Sequence, residues 1–463
     1  MHVRELQWIE PVAAMRRLSG RAHLTFLDSA ARHELLGRYS YLTCAPFGTY
    51  TVAEGQASCN GSILAGDPWE ALRALLANYP QQHCPDLPPF QGGVAGFIGY
   101  DLNRTLERLA APAIAGQRLP QAIMHLYDVV VSFDHRDDRC WIVSTGWPEQ
   151  DSARRTKRAR RRAEEFAALL ASPAAPQTAL AGAIGSWHSN FSREEYIAAI
   201  KRVIELILAG DIFQANIAQQ FTARVSASFD PLALYCRLRV LNPAPFAALL
   251  RYGKLTIASS SPERFLKLDG RMVETRPIKG TIARSEDSAE DRRRAGILLA
   301  SEKDRAENTM IVDLLRNDLS RVCTSDSIEV SALCGLESYA SVHHLVSVVT
   351  GELATPNDAV TLLRASFPGG SITGAPKIRS MGIITEIERV ARGVYCGAIG
   401  FIGFNGHMDT NIAIRTVTID DNLAVVHAGG GITAMSEPEA EYQETLTKAE
   451  RIFDAFHEAA GAF

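Results

Sequence analysis

The sequence carries no surplus of either charge: 48 Lys and Arg stand against 52 Asp and Glu, a net charge of -4. That excludes a dedicated nucleic-acid binder, whose footprint is a basic excess. No apolar run approaches the ~20 residues that a membrane span needs, so no membrane partner is expected. The eight cysteines, at positions 44, 59, 84, 140, 236, 323, 334 and 396, include no C-x-x-C pair and no Cys/His cluster with zinc spacing. Reduced thiols are the expectation. Met1–Glu10 carries Arg4 and Glu5 and lacks the apolar stretch of a secretory leader, which points to a cytoplasmic location. What remains is a chain of 463 residues, 46% hydrophobic and 22% charged, too apolar to be disordered throughout. At about 150 residues per domain it holds two or three domains, or one large fused unit.

Two regions read differently, 1–171 and 186–463. The first contains short β-branched and aromatic runs of strand length at Thr49–Ala53, Val94–Tyr100, Asp128–Phe133 and Cys140–Thr145, with a helical pattern at Pro68–Ala77. A basic run from Arg154 to Arg162, followed by Phe166, Leu169 and Leu170 at helical spacing, reads as a solvated helix face. Ser172–Gly185 reads as a connection. In the second region Ser192 with Glu195 forms a capping-box pattern ahead of a helix Glu194–Ala209. Further helices are expected at Ala300–Leu319, Pro376–Ala391 and Glu437–Ala459, and strands at Phe265–Leu268, Asn411–Ile419 and Leu423–Ala428. Helices and strands without regular alternation predict an α+β fold.

Some residues sit oddly for a purely structural role. Glu307 falls in the same helical sector as Met310, Ile311 and Leu314, where a carboxylate needs either a salt bridge or a cation, and Asp304 lies one turn earlier. Glu444 and Lys448 are i,i+4 neighbours off the apolar stripe of the last helix, a surface pair unless another surface packs over them. Two carboxylates from different helices, with substrate oxygens, would suit Mg2+. Phe367–Lys377 is a glycine-containing loop entering a helix, able to hold an anion on free N–H groups, but Ala375 and Pro376 stand where a P-loop needs Lys and Ser or Thr. Gly429–Gly431 is either a tight turn or a place for close backbone approach. Lys279, in Arg276-Pro-Ile-Lys-Gly-Thr281, is either an exposed turn residue or, if desolvated, a base or nucleophile.

Taken in order, Ser261-Pro-Glu-Arg-Phe265, Arg276–Thr281, Asp304–Asn308, Val312–Asp318, Phe367–Pro376, Ile414-Arg-Thr416, Gly429–Gly431 and Glu441–Thr445 resemble the chorismate-utilising enzyme family. The likeness is dense over Trp187–Phe456 and loose before it, through Leu27-Asp-Ser29 and Gly37–Ser40. It implies a large two-layered fold of twisted β-sheets covered by helices. Lys279, where anthranilate synthases carry alanine, resembles the branch that aminates chorismate at C4 toward para-aminobenzoate and folate; Asp211, Gln214 and Asn216 resemble the same branch. The resemblance implies that Lys279 is the nucleophile and Glu263 the general acid, with Mg2+ on Glu307 and Glu444 and with Glu441 nearby. It further implies that Tyr395, Arg415 and the amides of Gly429, Gly430 and Gly431 hold the enolpyruvyl carboxylate. Gly280 and Thr281 would contact substrate, His344 would lie beside the ring, and Lys448 would add positive charge. No cysteine sits in a glutaminase-type G-x-C-x-G turn, so ammonia is expected from a separate glutamine amidotransferase subunit. Ser29, Arg38, Tyr39, Ser40, Pro245, Phe246 and Ala247 match a tryptophan pocket of relatives. The alternatives are an anthranilate-forming synthase and a non-catalytic subunit that binds chorismate or tryptophan.

Overall fold

The computed structural model describes residues 1–31, 36–114, 116–173, 183–339 and 342–457. Most of the expected connection Ser172–Gly185 lies outside them. Among the described residues, strands gather into two large sheets with antiparallel ladders. In one sheet Leu24–Asp28 pairs with Phe246–Tyr252, which continues through Leu255–Ser261, Thr416–Asp420 and Leu423–Ile432 to Gln214–Arg224. In the other, Ile278–Ala283 lies beside Val342–Glu352, followed by Met272–Arg276, Arg264–Asp269, Met408–Ile412, Ala398–Gly403 and Gly93–Ile98. Both sheets therefore take strands from both regions of the chain.

Large apolar side chains fill the space between the sheets. Phe97 and Ile399 meet Leu250 and Ile257 there, and Phe90 stacks on Phe401 at 4.5 Å. Helices cover the outer faces. Met15, Phe166, Leu234 and Ile452 from four helices pack on one sheet, while Trp69, Val312, Leu362 and Met381 pack on the other. This is the α+β, two-sheet architecture expected, and no helix among the described residues is long and apolar enough to cross a membrane.

Local chemistry sets the element boundaries. The capping box at Ser192 and Glu195 starts the helix Arg193–Leu208. The expected helix Ala300–Leu319 runs over Glu302–Ser320; a separate helix, Ser288–Ala300, precedes it, and the two are divided at Ser301, which adopts extended dihedrals and whose hydroxyl accepts from Asp304 N. The expected strand Asn411–Ile419 divides between the sheets, Met408–Ile412 in one and Thr416–Asp420 in the other, with Arg415 at φ 52° on the crossing. Gly429–Gly431 form no turn. The strand runs to Ile432, with Gly429 opposite Ala218 and Gly431 opposite Asn216. The helix Ser152–Ala171 is only partly a solvated face. Arg160 and Arg161 pair with Glu164 and Glu165 at the surface, but Arg158 and Arg162 turn inward to the buried Asp128, each at 3.1 Å.

Candidate active site

Lys279 sits on the strand Ile278–Ala283, at the end of the second sheet. The register slips between Lys279 and Thr281, where Gly280 has φ +77°. A Cβ at Gly280 would stand 2.9 Å from Asp304, so only glycine lets the helix Glu302–Ser320 lie this close to the strand. That closeness brings Glu307 toward the lysine. The Lys279 amine is half-buried, not a turn residue, and donates to the Ser371 carbonyl at 3.1 Å.

Glu263 follows the strand Leu255–Ser261 and is buried, at 5% exposure. Its Oε1 accepts from the Ser371 hydroxyl at 2.6 Å. Burial raises its carboxyl to about 7, against the pull of the Ser371 bond and the Lys279 charge. A carboxyl at that value is protonated often enough near neutrality to act as an acid.

The facing wall is the glycine strand and the helix Pro438–Asp454. A Cβ on Gly430 would lie 3.2 Å from Glu441 Oε2, 3.5 Å from Lys448 Nζ and 3.6 Å from Glu444 Oε1. The three side chains thus converge over a bare backbone. Lys448 bonds the Gly429 carbonyl at 2.8 Å and Glu444 at 2.6 Å. Gly431 in turn leaves room for the Gln214 amide and for Lys279 Nζ, which would lie 2.1 and 3.3 Å from a Cβ there. The neighbouring strand Thr416–Asp420 pairs with this one only as far as Val426, so its edge along the three glycines is free of that partner.

Three carboxylates and three lysines share this corner. Burial raises the Glu307 carboxyl, while Lys279 and Lys303 oppose the rise. For Glu444 burial pushes upward too, but Lys448, Lys303 and Lys279 together bring it below its ordinary value. Lys303 lies 3.5 Å from the buried Glu441. Hard oxygen donors on two helices fit Mg2+, which keeps some waters and takes oxygens from a substrate. Among the described residues no three or more His, Cys, Asp or Glu side chains form a ready-made metal cluster, so substrate would have to complete such a site.

The other candidates close the cleft. His344 accepts or donates at 2.7 Å to the Thr281 hydroxyl, and burial, aided by the Arg415 charge, lowers it to about 4, so the imidazole is neutral at pH 7. Tyr395 stacks on His427 at 4.9 Å and 7°. Arg415 makes no ion pair within 4 Å among the described residues, and burial lowers its pKa while Tyr395 and Glu444 raise it. A half-buried guanidinium with no carboxylate partner among the described residues suits an anionic ligand.

Sequence reasoning missed Ser371, Lys303 and the orientation of Gln214, whose buried Oε1 has no hydrogen-bond partner among the described residues. The Phe367–Lys377 loop presents Ser371 to Lys279 and Glu263, while its lysine, Lys377, is taken by the buried Asp318 at 2.6 Å. Lys303 was detectable as the residue one helical turn before Glu307. Away from the cleft, Ser29, Arg38, Tyr39, Pro245, Phe246 and Ala247 line a separate cavity of about 430 Å³ with Arg264, Glu274 and Asp409. Ser40 is buried behind it, where its hydroxyl accepts from Ser29 N at 2.9 Å.

The chain as a whole is similar to known proteins. Residues 26–454 match the family described as chorismate binding enzyme, and the chain belongs to that family. It is 41% identical to aminodeoxychorismate synthase component 1 of Salmonella typhimurium, over 90% of this chain and 89% of the relative. It is 38% identical to anthranilate synthase component 1 of Streptomyces coelicolor, over 98% of this chain and 88% of the relative. The crystal structure of anthranilate synthase component I from Streptococcus pneumoniae superimposes with a TM-score of 0.81 at 31% identity, covering 90% and 92% of the two chains.

Proposed function

We propose that this chain aminates chorismate at C4 to give 4-amino-4-deoxychorismate, for para-aminobenzoate and folate synthesis in the cytoplasm. The observation that carries the reading is the half-buried Lys279 amine held on the same residue as the buried acid Glu263, facing two acidic helices. Lys279 attacks C2 of the ring. The conjugated double bonds shift, the C4–O bond breaks, and Glu263 gives its proton to the hydroxyl, which leaves as water. Ammonia then adds at C4, the bonds shift back, and the C2–N bond breaks to release Lys279 as the amine. Glu263 recovers its proton from the new C4 ammonium. Atoms and protons balance over the cycle.

Arg415, Tyr395 and the open edge of Gly429–Gly431 bind the enolpyruvyl carboxylate in this reading. Gly280 and Thr281 touch substrate, His344 packs beside the ring as a neutral imidazole, and Lys448 adds positive charge. Glu307 and Glu444 would hold Mg2+, with Glu441 near, and the ion when bound supplies charge for the ring carboxylate. Ammonia comes from a separate glutamine amidotransferase subunit, in keeping with the component 1 names of the relatives. Incubation with chorismate, Mg2+ and ammonium tests the reading: 4-amino-4-deoxychorismate is expected, and anthranilate as sole product would reverse it in favour of the anthranilate-forming alternative. For the separate cavity the reading is tryptophan, supported by the six expected residues that line it. Calorimetric titration with tryptophan should give saturable binding that Phe246→Ala weakens; no heat at millimolar ligand rejects it.

A further inference from the structure

We propose that Ser371 is a positioning residue that sets both reacting groups at once, its hydroxyl fixing Glu263 and its carbonyl fixing Lys279. The inference rests on the lysine mechanism above and deepens it. Ser371 is buried on the short turn Gly370–Ile372. Its hydroxyl donates to Glu263 Oε1 at 2.6 Å, and its carbonyl accepts from Lys279 Nζ at 3.1 Å. The acid lies between the strands Leu255–Ser261 and Arg264–Asp269 and the nucleophile on Ile278–Ala283, so this one residue links two segments.

Two consequences follow from the hydrogen-bond directions. With Oε1 already accepting from the hydroxyl, the proton of the acid form belongs on Oε2, leaving one defined oxygen to protonate the departing hydroxyl. With one N–H of Lys279 directed to the carbonyl, the orientation of the amine is restricted before substrate enters. The turn itself is immobilised by packing. A Cβ on Gly370 would stand 2.9 Å from Leu314, and a Cβ on Gly369 would stand 2.5 Å from Ile412. The Thr373 hydroxyl bonds back to the Gly369 carbonyl at 3.0 Å, and Arg392 holds the Ile372 carbonyl at 3.0 Å. Besides Ser371, the groups that act on the Glu263 carboxyl are Lys279 and the backbone at Ile278; the Cys396 thiol nearby is raised to about 12 by burial and stays neutral.

The test is steady-state amination with ammonium across pH for Ser371→Ala and Ser371→Thr, beside Lys279→Ala and Glu263→Gln. Ser371→Ala should lower kcat roughly ten- to a hundredfold, the scale of one hydrogen bond to a carboxyl group, with KM for chorismate within about twofold. The alkaline limb of its kcat profile should move upward, because the lost bond favoured the carboxylate form. Ser371→Thr keeps the hydroxyl and should restore both the rate and the limb. An unchanged kcat and limb in Ser371→Ala overturns the proposal, as does a joint collapse of kcat and KM that threonine does not rescue. Full activity in Lys279→Ala would instead overturn the mechanism on which it rests, so the two failures are distinguishable.

Discussion

Arg392 and Arg415 carry the same charge, but their surroundings differ: Arg392 is buried and Arg415 half-buried. Arg392 pairs with Glu388, each of them 2% exposed, and also reaches the carbonyls of Ile372 and Asn216 at 3.0 and 2.7 Å. Its guanidinium lies over the rings of Tyr100 and Tyr395. Glu388 in turn accepts from Ala218 N at 2.9 Å. Every strong valence there is used within the protein, and the pair ties the glycine strand's neighbour to the Ser371 turn. Among the described residues Arg415 has no such carboxylate within ion-pair distance. The comparison separates a charge that builds the cleft from a charge held ready for a ligand.

The sharpest contrast comes from substitutions on the two sides of this division. Lys279→Ala should lower amination by at least about a thousandfold and remove the protein–substrate adduct seen by mass spectrometry, with the urea midpoint nearly unchanged. Glu388→Ala should do the reverse in kind, costing about 3–5 kcal/mol of stability in urea unfolding by stranding the Arg392 charge. If Glu388→Ala leaves the midpoint intact, the division between the two arginines is lost. Arg415→Met should raise KM for chorismate by roughly ten- to a hundredfold, the scale of one charge-assisted contact. Its stability should hold or rise, because a half-buried charge with no internal carboxylate partner among the described residues disappears.

The smallest effect concerns pH and Glu263. Its folded pKa of about 7 lies above the ordinary 4.5, so the native state binds the proton more tightly than the unfolded chain. The associated stability is complete below about pH 4.5 and is lost as pH rises through 7. Glu263→Gln should flatten this part of the stability profile between pH 5 and 8 by about 1–3 kcal/mol. Parallel profiles for the two proteins would mean that the carboxyl is not desolvated.

Much of the site was legible because its chemistry is written in short segments. Glu307 stood out on an apolar stripe, and the register break at Gly280 explains why a glycine follows Lys279. Glu444 was harder, since periodicity places it away from the core; it is exposed on its own helix and gains a role only from the strand packed beneath it. Ser371 could not be found from spacing, because its two partners lie about a hundred residues upstream and meet it only through tertiary folding. The same reason hid the inward turn of Arg158 and Arg162 toward Asp128. Elements were read well where a cap or a β-branched run marks them, and poorly at Asn411–Ile419, where one apolar stretch serves two sheets.

The interleaving of the sheets has a consequence for synthesis on the ribosome. Leu24–Asp28 has to wait for Phe246–Tyr252, and Gly93–Ile98 for Ala398–Gly403. Closure of either layer requires contacts between residues more than two hundred positions apart, which slows folding and prolongs the exposure of sticky strand edges. A nascent chain halted before residue 398 would hold Gly93–Ile98 paired with Ala122–Tyr127 on one side and leave its other edge open.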